Sequence, residues 1–171
     1  MEFFDALKAR NSIRAYADMP VEEEKLDKIL ESINQAPSAG NLQAFEIYVV
    51  TRADQRSDLV AAAAGQGFLK QAPVVLVFCA HAARSADRYG KRGINLYCLQ
   101  DATIACTYAM LAAAALGLST VWVGAFSESD VGRIVNAPQA HRPVAMLPIG
   151  YAAEEPRIRS RRILSDFVHR I

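Results

Sequence analysis

Residues 94–116, INLYCLQDATIACTYAMLAAAAL, limit what this chain can fold into more than any other stretch. Alanine, leucine and methionine dominate it, and no proline interrupts it, so it reads as a long helix. It is apolar nearly all round, which leaves no face for water and calls for burial. The stretch is long enough to cross a bilayer. It also holds Asn95, Gln100, Asp101, Thr103 and Thr107, and a charge at mid-span is expensive in lipid. The expectation is a central helix of a soluble domain, or one buried between two copies of the chain. No membrane contact is expected.

Strands and helices alternate around it. FEIYVVT (45–51) and PVAMLPIGY (143–151) read as strands, and PVVLVFCA (73–80) as a strand buried on both faces. Residues 119–123 form a further short strand. Helices are expected at 2–9, with Phe3, Phe4 and Leu7 on one face, and at 21–35, with Val21, Leu26, Ile29, Leu30 and Ile33 in one stripe. Two more are expected at 54–64, opened by an Asp cap, and at 128–135. Residues 84–93 are charged and bounded by glycine, and read as a mobile surface connection. No repeat or low-complexity linker divides the chain, so residues 1–171 are expected to form one domain of the α/β or α+β class. Ile163, Leu164, Phe167 and Val168 form an apolar tail without a core of its own, which suggests docking onto another surface.

Several function classes drop out on composition. Lys and Arg total 19 against 18 Asp and Glu, a net charge of +1, which does not suit a nucleic-acid binder that relies on a basic surface. Cys79, Cys98 and Cys106 lie in apolar runs and read as reduced thiols of a cytoplasmic protein. The N-terminus is charged from residue 2 and lacks the apolar stretch of a signal peptide. Gly65 and Gly67 do not open a dinucleotide loop, and no phosphate-loop, zincin or nucleophile-elbow motif occurs. His81, His141 and His169 are scattered along the chain without metal-ligand spacing, so no metal is expected.

What remains is a set of polar clusters at element ends. Arg10, Asn11, Ser12 and Arg14 follow the first helix, and two guanidinium forks with a hydroxyl between them can hold an anion. Pro37, Ser38, Ala39, Asn41 and Gln43 combine small residues with hydrogen-bonding side chains. Val123, Gly124 and Ala125 are small residues at a strand end, between Trp122 and Phe126. Arg157, Arg159, Arg161 and Arg162 make the tail basic. Each cluster alone has an ordinary reading as a solvated loop or a helix stop.

Taken in order, ARNSIRAY (9–16), APSAGNLQAFEIYVV (36–50), QAPVVLVF (71–78), LQDATIACTYAMLAAAALGLSTVWVGAF (99–126) and RPVAMLPIGYAAEEPRIRSRRILSDFVH (142–169) resemble the nitroreductase family of FMN-dependent oxidoreductases, in a short form. The resemblance implies an α+β, three-layer fold: a mixed sheet flanked by helices, in an intertwined homodimer with FMN at the interface. It implies that Arg10, Asn11 and Ser12 hold the FMN phosphate and ribityl chain, with Arg14 near the flavin pyrimidine as electrostatic support and no protein nucleophile. Pro37, Ser38 and Ala39 would approach the flavin from the other subunit, with Asn41 and Gln43 near by. Val123, Gly124 and Ala125 would pass beside the ring, and Arg161, or Arg159 one register away, would reach the phosphate. Longer relatives carry a polar or basic flavin contact before the second apolar strand, where here Gln66 alone could serve. The implied reaction is ping-pong hydride transfer from NADH or NADPH through FMN to a small-molecule acceptor such as a nitroaromatic or quinone. The alternative is a non-catalytic FMN-binding or redox-sensing protein.

Overall fold

Strand β2 (Val74–His81) is buried along its whole length except at His81, and it organises the rest of the chain. In the computed structural model, which describes residues 1–157 and 159–171, it lies inside a four-stranded sheet ordered β1-β2-β4-β3. Its companions are β1 (Phe45–Val50), β3 (Ser119–Thr120) and β4 (His141–Gly150). All the strand pairings are antiparallel. The parallel component of the expected mixed sheet is the bridge between Ser12 and Thr120 at the β3 edge.

Period-two alternation sends the side chains of β2 to two different cores. Val75, Val77 and Cys79 pack with Leu59, Leu69 and Val131, which belong to α3 (Ala53–Ala62), α4 (Phe68–Gln71) and α7 (Glu128–Ile134). Leu76 and Phe78 pack on the other face against α2 (Glu23–Asn34) and α6 (Cys98–Ala115). The result is helix, sheet, helix, the three-layer arrangement expected. Each layer contact removes apolar surface from water, at about 25 cal/mol per Å².

The apolar helix is α6, and it is less symmetric than its composition suggests. Ala102, Ala105, Cys106, Ala109 and Ala113 form the buried face, while Thr103, Thr107 and Tyr108 point outward. The helical run Ala82–Ala115 is long and apolar enough to cross a membrane. Its packing onto the sheet is that of a core helix, and its small alanines let it approach closely. Cys79, Cys98 and Cys106 are free and buried; burial, with a smaller contribution from Glu46, pushes the Cys79 thiol up to about 12.

Several expectations need correction. Residues 84–93 are helix α5 (Ala82–Arg92), kinked at Gly90 and followed by a π-turn over Gly93–Tyr97. The charges there belong to the solvated face of a helix that buries Ser85. Helix α1 (Phe3–Ala9) forms as expected; it buries Ala6 and leaves Phe3, Phe4 and Leu7 exposed. The cap of α3 is Arg52, without a side-chain bond, and Asp54 sits in the first turn paired with Arg52 at 2.5 Å. β3 ends at Thr120 rather than Val123, and Val123 meets the sheet through an isolated bridge to Met146.

Candidate functional site

Backbone pairing explains how the first and last clusters meet. Ile13 N donates to Thr120 O at 3.1 Å, which fixes the 10–14 segment beside β3. Ala17 N donates to Tyr151 O and Ala153 N to Ala15 O, each at 2.9 Å, so the chain beyond β4 returns alongside residues 15–17. The Arg14 amide then donates to the Glu154 carboxylate. Together these segments enclose a cleft of about 610 Å³ lined by Arg10, Ser12, Arg14, Arg157, Arg159 and Arg161, with Glu154 as its carboxylate.

The cleft carries excess positive charge at close quarters. Partial burial, and then the nearby charge of Arg161, hold Arg10 below its ordinary pKa. Like charges gathered this way destabilise one another unless an anion enters. Arg161 lines the cleft with Arg10, whereas Arg162 donates to Asp166 O at 2.8 Å and lies over the Phe167 ring. Arg159 also lines the cleft. Asn11 belongs to the same segment, and its side chain donates back to Ala9 O at 3.0 Å.

The 36–43 loop is a second, separate element. Asn41 and Gln43 adopt left-handed φ of 56° and 47°, which is comfortable for Asn and strained for Gln. Hydrogen bonds hold it there: Gln43 N donates to Ser38 Oγ at 2.9 Å, and Gln43 Nε2 to Asn34 Oδ1 at 2.9 Å. The bonding groups of Ser38 and Gln43 thus shape the loop rather than standing free for a ligand. Asp101, which sequence reading counted only as a polar interruption of a helix, is the principal support. It is 2% exposed. Its two carboxylate oxygens accept from Ala39 N at 3.0 Å and Ala44 N at 3.3 Å, one at each end of the loop. From α5, Arg84 Nε donates to Leu42 O at 3.1 Å. Pro37, Ser38 and Ala39 face an open concavity with Leu99, Thr103 and Ile104 of α6.

A third element combines residues 123–125 with Gln66. Val123 is buried, and its N–H and C=O both pair with Met146 at 2.9 Å, so it serves the core. Gly124 and Ala125 are exposed. Gln66 Nε2 donates to Ala125 O at 3.1 Å, which joins the two stretches. A Cβ on Gly124 would lie 3.2 Å from Trp122 Nε1. Gly124 lines a concavity with Leu99, the residue that also borders the 37–39 surface. Within one chain, then, the arginine cleft and the Leu99 surfaces are distinct.

The reading of the histidines changes as well. His81 and His141 stand directly opposite in the β2–β4 register, with ring centroids 4.5 Å apart. Distance along the chain concealed this, because antiparallel strands join residues 60 positions apart.

The sequence model of the Nitroreductase family matches residues 7–67 and 60–151. A protein of Bacillus subtilis named FMN reductase, NAD(P)H, is 32% identical over 175 residues, covering 92% of this chain and 70% of that protein. The structure of an FMN-dependent nitroreductase from Clostridium difficile superposes with a TM-score of 0.83 at 30% identity, covering 97% of both chains. Nitroreductase A from Vibrio parahaemolyticus gives a TM-score of 0.90 at 26% identity, over 99% of this chain and 75% of that one. With the family model spanning most of the sequence and the same fold recurring in solved relatives, the chain belongs to the nitroreductase family.

Proposed function

We propose that this protein is an NAD(P)H-dependent flavin oxidoreductase that binds FMN phosphate in the arginine cleft and passes hydride by a ping-pong route to a nitroaromatic, quinone or similar small acceptor. The observation that carries the reading is the convergence of Arg10, Arg14, Arg159 and Arg161 on one cleft with Ser12. A phosphate dianion would offset the burial and, second to it, the nearby Arg161 charge that hold Arg10 low, and guanidinium forks match its oxygens. An arginine-lined, partly buried cleft with a serine hydroxyl suits the FMN phosphate, which supports that cofactor. Relatives named FMN reductase and NADPH-flavin oxidoreductase support the same cofactors.

In this reading Arg10, Ser12 and Arg161 would hold the phosphate, with Asn11 and Arg159 adjacent. Arg14 would place a permanent cation near the flavin pyrimidine, where negative charge develops on two-electron reduction. Bound FMN supplies the hydride chemistry, so the protein needs to bind, orient and exclude water rather than provide a nucleophile. Gly124 and Ala125 offer backbone without bulk, and Gln66 steadies them through Ala125 O.

Pro37, Ser38 and Ala39, with Asn41 and Gln43 shaping their loop, would complete the site from a second copy, making residues 1–171 one FMN-binding domain of a homodimer. Leu164 at 70% and Phe4 at 72% exposure leave apolar surface that such a partner would cover. Buried free thiols suit a reducing cytoplasm.

The test is the absorbance of the purified protein, then an anaerobic titration with NADH and NADPH. A flavin spectrum bleached by either nucleotide is expected. A flavin spectrum that neither bleaches would select the non-catalytic FMN binder, and a colourless protein that takes up no FMN would refute both.

A further inference from the structure

We propose that Glu46, His81 and His141 form a binding site for one divalent transition-metal ion of the zinc type, at the end of the sheet away from the arginine cleft. The β2–β4 register sets His81 opposite His141. β1 adds Glu46 opposite Cys79, two residues from His81 and therefore on the same face. Glu46 Oε1 lies 2.9 Å from His81 Nδ1. One ligand atom from each of Glu46, His81 and His141 lies within 4.8 Å of the other two.

These spacings suit a small ion. Ligands about 2.0–2.1 Å from zinc stand about 2.9–3.4 Å apart, from right-angled to tetrahedral arrangements. The Glu46–His81 edge already has that length, and a change of χ angles in the half-buried His141 closes the rest. The Tyr48 hydroxyl is 2.6 Å from His141 Nδ1. An oxygen partner on the second nitrogen is what fixes the orientation and tautomer of a metal-bound imidazole. Two imidazoles and a carboxylate give three protein ligands of types that late first-row dications prefer, with room for water in a fourth position.

Charge is also compatible. The adjacent cation, Arg142, is held by both oxygens of Glu128 at 2.8 and 2.9 Å, so its charge is already paired. A dication would meet the carboxylate of Glu46 and the two imidazoles of His81 and His141.

The site is structural rather than redox-active. His141 opens β4 and Gly150 closes it, beside the β3 edge that borders the arginine cleft. At about 3.3 Å per residue the strand separates the two sites by about 30 Å. An ion here would staple β1, β2 and β4 together through three half-buried side chains.

The experiment uses untagged protein as purified, treated with chelator and dialysed, then titrated with zinc chloride by calorimetry and followed by thermal melting. One ion per chain is expected, with a Kd of about 1 μM or tighter, and a melting temperature that rises to a plateau near one equivalent. His81→Ala, His141→Ala and Glu46→Gln should each weaken binding at least about tenfold, with secondary structure checked by circular dichroism. His169→Ala, in the exposed tail, should change nothing. The wild-type titration decides without any variant: absence of saturable one-to-one binding below about 100 μM, a free energy of about 5.5 kcal/mol, overturns the site. Unchanged binding in folded His141→Ala overturns it equally.

Discussion

Replacing Arg161 with alanine removes the guanidinium that stands close enough to Arg10 to depress its proton affinity. If that pair clamps the FMN phosphate, the loss is one charge-assisted hydrogen-bonding partner, about 1.5–3 kcal/mol. Two features of the cleft move the expectation to the lower end. Arg161 is exposed, so solvent screens its charge. Its removal also relieves the repulsion on Arg10, which can then bind the phosphate more strongly. FMN should therefore bind about tenfold more weakly, since about 1.4 kcal/mol is a factor of ten. Quenching of FMN fluorescence on binding measures this directly for the parent, Arg159→Ala, Arg161→Ala and a chain ending at Arg157. Riboflavin, which lacks the phosphate, should bind the parent and Arg161→Ala alike, and comparing the two ligands isolates the phosphate contact. The difference should also shrink as salt is raised. If Arg159→Ala, Arg161→Ala and the truncated chain all bind FMN like the parent, the tail lies outside the site.

Arg14→Ala should keep the fold, lower the reduction potential of bound flavin and slow its reduction by NAD(P)H, at a cost of about 2–4 kcal/mol; potentiometry and stopped flow would read it, and an unchanged potential would place Arg14 elsewhere. Gly124→Val should bind FMN poorly while keeping its melting temperature near the parent's, because Gly124 is exposed and the added bulk enters the site rather than the core. Asp101→Asn can satisfy one of the two amides at Ala39 and Ala44, and turns its own NH2 group toward the other. It should lose about 1–3 kcal/mol of stability in denaturant unfolding, and wild-type stability would refute the tethering role. Sedimentation of the FMN-loaded protein at micromolar concentration should give a dimer; deletion after Arg157 should shift it toward monomer by removing the exposed Ile163, Leu164, Phe167 and Val168.

The sheet was legible because its strands are chemically plain. The run 73–80 is apolar at every position and includes Val74, Val75, Val77 and Phe78, which suits a strand buried on both faces. The amphipathic α2 was equally clear, since Ile29 and Ile33 repeat at helical spacing. Residues 84–93 were misread because charge and glycine look alike in a loop and on a solvated helix. Periodicity gave α1 and its apolar stripe, but not that Phe3, Phe4 and Leu7 are exposed and that Ala6 is the buried residue. The arginine cleft was legible only through the order of several weak clusters. No local rule brings Arg14 beside Glu154, which is the work of 140 residues of intervening fold. Asp101 and the His81–His141 pair were concealed for the same reason, because their partners arrive from other strands and loops.

These facts bear on one another. Several hydrogen bonds hold the 36–43 loop in a strained shape that contributes nothing to stability by itself. Asp101 fixes both ends of the loop, and Arg84 anchors Leu42 from α5. Strain held this firmly is usual where backbone geometry has to be ready for a ligand. Yet the surface of Pro37, Ser38 and Ala39 opens beside α6, apart from the arginine cleft of the same chain. The exposed apolar residues of α1 and the tail present a parallel problem, and Leu7 among them lines the cleft. A second copy answers both at once: its loop would bring the preformed backbone to the first chain's cleft, while the apolar residues would be buried in the contact. On that reading the tail has one task with two parts, in which its apolar residues secure the partner and Arg161 reaches the phosphate. Dimerisation and FMN affinity should then fall together when the tail is shortened, and separately when Arg161 alone is changed.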